Sequence, residues 1–280
     1  MTMNKIMYGK PVADAIYDAV KDITTPAKLV IATFGEDEAS EIYMRNKMKA
    51  AKAVGIEAER LDLDKNQQAH KIMQTLANTS QLVDGLILQL PLPKEMRDYE
   101  QIFLDSVNVY ADVDCLGREG IGNFYSHANS WQVPCTAQAV VDILKFYGVP
   151  MAGKHAVVIG RSKLVGRPVA ELLLRENATV TICHSATENL AEHTKCADII
   201  ITAAGTPNLI TADMVKDGVV IVDVSINRGA DGKLCGDVDF NTVAPKCAAI
   251  TPVPGGVGPV TVAELMANTA GIRAKIGHSN

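Results

Sequence analysis

Residues 153–174 read GKHAVVIGRSKLVGRPVAELLL. An apolar strand, His155 to Ile159, runs straight into Gly160; a turn containing Gly166 follows, then an amphipathic helix to Arg175. In an open α/β sheet, such a strand–turn–helix unit offers backbone N–H groups and the positive end of a helix to a phosphate. The glycine pattern is G-x5-G, with Ser162 where the dinucleotide fingerprint has its second glycine. Gly160, Arg161, Ser162, Val165 and Gly166 are therefore candidate cofactor contacts. The end of the next strand, Thr179 to Cys183, is more discriminating. An NAD site usually places Asp or Glu there to bind the ribose hydroxyls. Here the strand ends Cys183-His184-Ser185, and no carboxylate appears until Glu188. Without that acid nothing repels a 2′-phosphate. Arg161 supplies a cation, and His184 and Ser185 supply hydrogen-bond partners. The reading is NADP.

Outward from this unit, strand-length apolar runs alternate with helix-period stretches. Towards the N-terminus, Lys28–Phe34, Ile56–Leu63 and Val83–Leu90 read as strands, separated by helices over Ser40–Val54 and Gln67–Leu76. Pro91 and Pro93 stop the third strand. The stretch Asn108 to Pro134 is irregular, holds the only tryptophan, Trp131, and reads as a long connection. Thr136–Tyr147 is a dividing helix stopped at Gly148. Beyond the quoted unit, Asp198–Ala203 and Val219–Val224 are further strands, Asp231-Gly232 marks a hairpin, and a last helix runs from Val260 to about Lys275. Such alternation implies parallel strands with crossover helices, an α/β fold in two lobes.

The chain has 280 residues, 48% hydrophobic and 21% charged, with a formal charge of -5. That length buries a core without staples. The mild negative charge gives no basic stripe for nucleic acid. Six cysteines lie scattered, none in a C-x-x-C pair, so neither a disulfide framework nor a structural metal is expected. The start has no signal-peptide core, and no window approaches the roughly 20 apolar residues that span a bilayer. The expectation is a cytoplasmic protein without membrane contact.

Four blocks stand in order along the chain: YMRNK at 43–47, GLILQLPLP at 85–93, GRSKLVGRP at 160–168 within the unit above, and TPVPGGVGP at 251–259. Smaller pieces are DVD at 112–114, PCT at 134–136, CHSAT at 183–187 and GDVDF at 236–240. Together they make the chain resemble the bifunctional methylenetetrahydrofolate dehydrogenase/methenyltetrahydrofolate cyclohydrolases over nearly its full length. The resemblance implies residues 1–135 as a folate-binding catalytic domain, joined by the C-terminal helix at about 260–280. It implies residues 136–259 as a Rossmann-like NADP-binding domain, with a cleft between the two. The implied reaction oxidises 5,10-methylenetetrahydrofolate with NADP and hydrolyses the methenyl product, in a homodimer that pairs through the dinucleotide lobe and serves one-carbon and purine metabolism.

Residue by residue, Tyr43 and Lys47 are four apart and share one helix face. The resemblance puts Lys47 beside the reacting carbon and packs Tyr43 on the folate. A cationic substrate would push such a lysine towards neutrality, fitting it to serve as a base or to guide water. Gln89, a polar amide ending an apolar strand, must find a partner; the resemblance assigns it Lys47. Asp114 is implied to hold the pterin ring through its N–H donors, whereas Asp112 reads as a turn or cap residue. Leu90, Pro91, Pro254, Gly255 and Gly256 are implied substrate contacts, and Ile226 a cofactor contact. Tyr43, Lys47, Gln89 and Asp114 form the implied catalytic set.

The chain departs from the family pattern at several places. Cys115 and Ser225 stand where glycine is usual, Ala137 and Ala139 follow PCT, Val260 replaces a common methionine, and Glu264 puts a charge at an apolar position. Residues 117–131 are also unlike the usual connection. A monofunctional or NAD-using dehydrogenase, and a non-catalytic folate or nucleotide binder, stay open as alternatives at this point.

Overall fold

The computed structural model describes residues 5–22, 26–35, 38–126, 132–229 and 232–271. Along the chain run β1 (Lys5–Ile6), α1 (Gly9–Lys21), β2 (Lys28–Thr33), α2 (Glu38–Ala53), β3 (Glu57–Asp62), α3 (Ala69–Ser80) and β4 (Gly85–Leu88). Next come α4 (Glu100–Leu104), α5 (Arg118–Ser126), α6 (Cys135–Phe146), β5 (His155–Ile159), α7 (Gly166–Arg175), β6 (Thr179–Cys183), α8 (Leu190–Cys196) and β7 (Ile199–Thr202). The rest are β8 (Val219–Asp223), β9 (Asn227–Arg228), β10 (Leu234–Cys235), α9 (Phe240–Val243), β11 (Cys247–Ile250) and α10 (Val257–Thr269).

Two compact units result: Met1–Asp14 with Thr136–Thr261, and Ala15–Cys135 with Val262–Asn280. The first holds a six-stranded sheet in the order β1-β11-β8-β7-β5-β6. Every neighbouring pair in it is parallel. Its central strands are short apolar runs with no alternation, IIIT in β7 and HAVVI in β5, as expected where helices cover both faces. Ile200, Ile221 and Val157 are fully buried there. Truncating one of them to alanine would cost roughly 2–5 kcal/mol.

The second unit carries a parallel three-stranded sheet, β3-β2-β4. Leu29 and Ile31 of β2 pack one face with Met44 of α2 and Leu265 of α10. Ala32, Leu86 and Leu88 pack the other with Ile72, Leu76 and Phe103.

The structure differs from the sequence expectation at the chain's start. Residues 5–14 belong to the six-stranded unit and not to the N-terminal domain, because Lys5 and Ile6 pair with Ala249 and Ile250. Part of the segment read as an irregular connection is helical, as α5. Trp131 and Asp231 lie outside the described residues, as does everything after Gly271 in the expected last helix.

Candidate active site

In the three-stranded unit, α2 presents Lys47 to the carboxyl end of β4. Lys47 Nζ donates to Gln89 Oε1 at 3.1 Å. The other end of the Gln89 amide donates to the Leu90 carbonyl at 2.8 Å. Held at both ends, the nearly buried side chain can offer only its oxygen to the ammonium. Tyr43, one turn earlier on α2, is 45% exposed. Gln89 and Pro91 also line a cavity of about 190 Å³, with Thr33, Ser40, Lys94 and Arg97 among its other walls. A larger cavity, about 440 Å³, opens among Pro26, Asp84 and Asn108, and none of the predicted site residues lines it.

Asp114 is set by its neighbours. Asp112 is buried and accepts from the backbone N–H groups of Gly117, at 2.7 Å, and Leu116, at 3.2 Å. Asn268 of α10 donates to the carbonyls of Val113, at 2.8 Å, and Val133, at 3.0 Å. Cys135 Sγ also reaches the Val113 carbonyl at 3.3 Å. Asp112 is thus the turn-former, and Asp114 is the partly exposed acid of the pair. Burial, opposed by those N–H donors, raises the Asp112 carboxyl to about 6. Cys115 takes φ 56, the left-handed region, which accounts physically for glycine being usual at that position. Its thiol is buried and its pKa pushed up, chiefly by desolvation.

In the six-stranded unit, the β5–α7 turn is as tight as its glycines suggest. Gly160 takes φ 126, and a Cβ there would collide with the Ala203 carbonyl; one at Gly166 would collide with the Gly160 carbonyl. Ser162 has local partners in this turn. Its hydroxyl oxygen accepts from the Val165 and Gly166 N–H groups, at 3.1 and 3.4 Å, capping α7, and only its proton is left to give. Arg161 is exposed, and its guanidinium makes no hydrogen bond or ion pair among the described residues. At the end of β6, the His184 N–H donates to Thr187 Oγ1 at 2.8 Å, and His184 Nδ1 accepts from the Ala186 N–H at 3.1 Å. That contact occupies Nδ1 and leaves Nε2 as the ring nitrogen without a partner among the described residues. Ser185 is exposed beside it, and Ile226, past the end of β8, is 45% exposed.

The loop 251–259 shows what its glycines allow. The Gly9 N–H donates to the Gly255 carbonyl at 2.8 Å, and a side chain at Gly9 would strike the Gly256 carbonyl. The close backbone approach expected there is made at least by the chain itself. Pro254 is exposed, and Pro259 sits in the first turn of α10, which begins two residues before it. Among the described residues, no group of three or more His, Cys, Asp and Glu is placed to hold a metal. No described helix is long and apolar enough to cross a membrane.

One polar cluster went unread in the sequence. Asp237 and Asp223 are buried at the carboxyl edge of the six-stranded sheet and receive donors from three separate loops. GDVDF carried the signal, but an acid's partners cannot be read when they lie 10 to 33 residues away.

Two domain families match the sequence. Residues 7–114 match the tetrahydrofolate dehydrogenase/cyclohydrolase catalytic domain, and residues 134–276 match its NAD(P)-binding domain. The chain belongs to the tetrahydrofolate dehydrogenase/cyclohydrolase family. A relative from this family, the bifunctional protein FolD of Campylobacter concisus, is 45% identical over 274 residues, covering 95% of this chain and 96% of its own. The crystal structure of the Campylobacter jejuni bifunctional FolD, a dehydrogenase/cyclohydrolase, is 39% identical with TM-score 0.90, covering 98% of this chain and 99% of its own. The Trypanosoma brucei dehydrogenase-cyclohydrolase, solved with NADP and an inhibitor, is 33% identical with TM-score 0.89, covering all of both chains.

Proposed function

We propose that this tetrahydrofolate dehydrogenase/cyclohydrolase oxidises 5,10-methylenetetrahydrofolate to the methenyl cation with NADP+ and then hydrolyses that cation to 10-formyltetrahydrofolate. The observation that carries the reading is the Lys47–Gln89 contact at the carboxyl end of β4, in a chain that matches both domains of the family. The donor set fits a dinucleotide bearing a 2′-phosphate: a glycine turn opening α7, an exposed Arg161, the His184 ring held through its Nδ1, and an exposed Ser185. NADP+ when bound supplies the hydride acceptor. The chain's own residues do the rest. Asp114 accepts N–H donors of the pterin, and the Tyr43 ring offers an apolar face to the folate. Gln89 fixes the Lys47 ammonium, whose Nζ–H orients water at the cation or, once deprotonated, takes its proton.

The test is Lys47→Met, followed spectrophotometrically with methylenetetrahydrofolate and NADP+. Methenyl decay should fall roughly 100-fold or more, the range typical for losing a positioned acid–base group. NADP+ affinity should change little. An unaltered hydrolysis rate removes Lys47 from the mechanism.

We also propose that the chain works in the cytoplasm as a homodimer. Strand β6 is one of the two edges of the six-stranded sheet and leaves Ile182 42% exposed, an edge that a second copy would cover. Light scattering on the purified protein checks this, and a monomer at micromolar concentration counts against it.

A further inference from the structure

Asp237 is fully buried beside the carboxyl ends of β7 and β8. Its Oδ2 accepts from the Ala204 N–H at 2.7 Å, the Gly205 N–H at 3.3 Å and the Ser225 hydroxyl at 2.7 Å. Its Oδ1 accepts from the Thr206 N–H at 2.8 Å and from Asn227 Nδ2 at 3.0 Å. The Ser225 oxygen in turn accepts from the Gly205 N–H at 3.1 Å, and the Ser225 N–H donates to Asp223 Oδ1 at 3.1 Å. One serine therefore ties the loop after β7 to the loop after β8, both directly and through a buried acid.

Strand order says what those loops face. Ligands of open parallel sheets bind at the carboxyl ends of the strands. The phosphate turn follows β5, with β6 on one side and β7 then β8 on the other. If the 2′-phosphate end of the dinucleotide lies at His184 and Ser185 after β6, the nicotinamide half crosses β5 towards Ala203–Thr206 and Val224–Asn227. Ile226, exposed between Ser225 and Asn227, is on that second side.

We propose that Ser225 is a positioning residue for the nicotinamide half of the cofactor. Its hydroxyl locks the two loops into one rigid edge, so the backbone and Ile226 meet the cofactor without first being ordered. A glycine at this position has no hydroxyl with which to do this. The proposal deepens the dinucleotide reading above and rests on it.

The experiment compares two probes by calorimetric titration of the whole chain without folate. NADP+ reports on both halves of the site; adenosine 2′,5′-bisphosphate reports on the β6 side alone. For Ser225→Ala, NADP+ should bind roughly tenfold more weakly, a single charge-linked hydrogen bond's effect. The adenosine probe should stay within about twofold. In turnover, the KM for NADP+ should rise while kcat changes far less. Unchanged NADP+ binding overturns the proposal. Parallel weakening of both probes, or loss of the folded state by circular dichroism, also overturns it by assigning the hydroxyl to stability alone. A parent chain that binds neither probe fails at the earlier step and removes the dinucleotide reading itself.

Discussion

Lys47 and Gln89 are 42 positions apart and meet through one hydrogen bond, which makes the pair testable from either side. Gln89→Leu removes the oxygen that orients the ammonium and leaves the Leu90 carbonyl without its amide donor. We expect cyclohydrolase activity to fall by about 100-fold, with the folded state retained; a methenyl-decay assay reads this, and a normal rate would separate Gln89 from the chemistry. Asp112 gives a prediction in pH. Its folded carboxyl titrates near 6, raised from 3.8 by burial. The native state therefore holds a proton that the unfolded chain has lost. The sign follows: this contribution is complete below pH 4, declines as pH rises to about 6, and is absent above. The decline is roughly 1.4 kcal/mol per pH unit within that window. Asp112→Asn abolishes the decline, so urea denaturation of parent and variant should show a stability gap that shrinks between about pH 4 and pH 6. A gap independent of pH would mean that the acid is ionised throughout. Turn chemistry marked Asp112 in the sequence, but its burial could not be read there, because it depends on how Leu116 and Gly117 lie against the carboxylate. Ser225 was legible only as a departure from glycine; Asp237, twelve residues on, gives it a partner.

At the level of elements, the β5–α7 unit was the most readable part of the chain. Its strand pattern, its two glycines and its amphipathic helix all lie within 22 residues and depend on local sterics. Gly160→Ala tests this locality. The added methyl meets the Ala203 carbonyl at a positive φ, so the change should cost roughly 3 kcal/mol and abolish NADP+ binding. Thermal melting and NADP+ titration would show both effects, and a variant of parental stability would contradict the turn geometry. Ser162→Ala should be milder, about 1 kcal/mol, the usual cost of losing a helix-capping oxygen. What was not readable at this scale has a common cause. Strand β1 has two residues, far too few for a period to show, and it exists because β11 offers it an edge. The four residues of β11, Cys247–Ile250, form a run too short to tell from a buried turn, and α8 is only seven residues long. Each of these elements is fixed by its neighbours in space and not by its own sequence.

Across the whole molecule, the two α/β units follow from the alternation of patterns, but their membership does not. The chain begins in the six-stranded unit, leaves it after Asp14, returns at Thr136 and leaves again after Thr261. Helices α1 and α10 each give residues to both units. The bounds expected from the sequence, 1–135 with about 260–280 and then 136–259, agree closely with these units at residues 135 and 261 and differ at the segment up to Asp14. The place of that segment has measurable consequences. Ile6 packs on the core of the six-stranded unit, Met7 is fully buried, and the Tyr8 carbonyl accepts the Tyr147 hydroxyl at 2.8 Å. Deleting residues 1–8 exposes the edge of β11 and removes these contacts while leaving α1 to begin at Gly9. The lost apolar burial alone is worth roughly 3 kcal/mol, so the melting temperature should fall by about 5–10 °C. The strands β1 and β6 are opposite edges of the sheet. Adenosine 2′,5′-bisphosphate should therefore bind the folded truncation at low temperature almost as tightly as it binds the parent. Unchanged melting would show that the N-terminal segment adds nothing to the unit it pairs with. Loss of the adenosine probe from a still-folded truncation would show that the two edges of the sheet are coupled rather than independent.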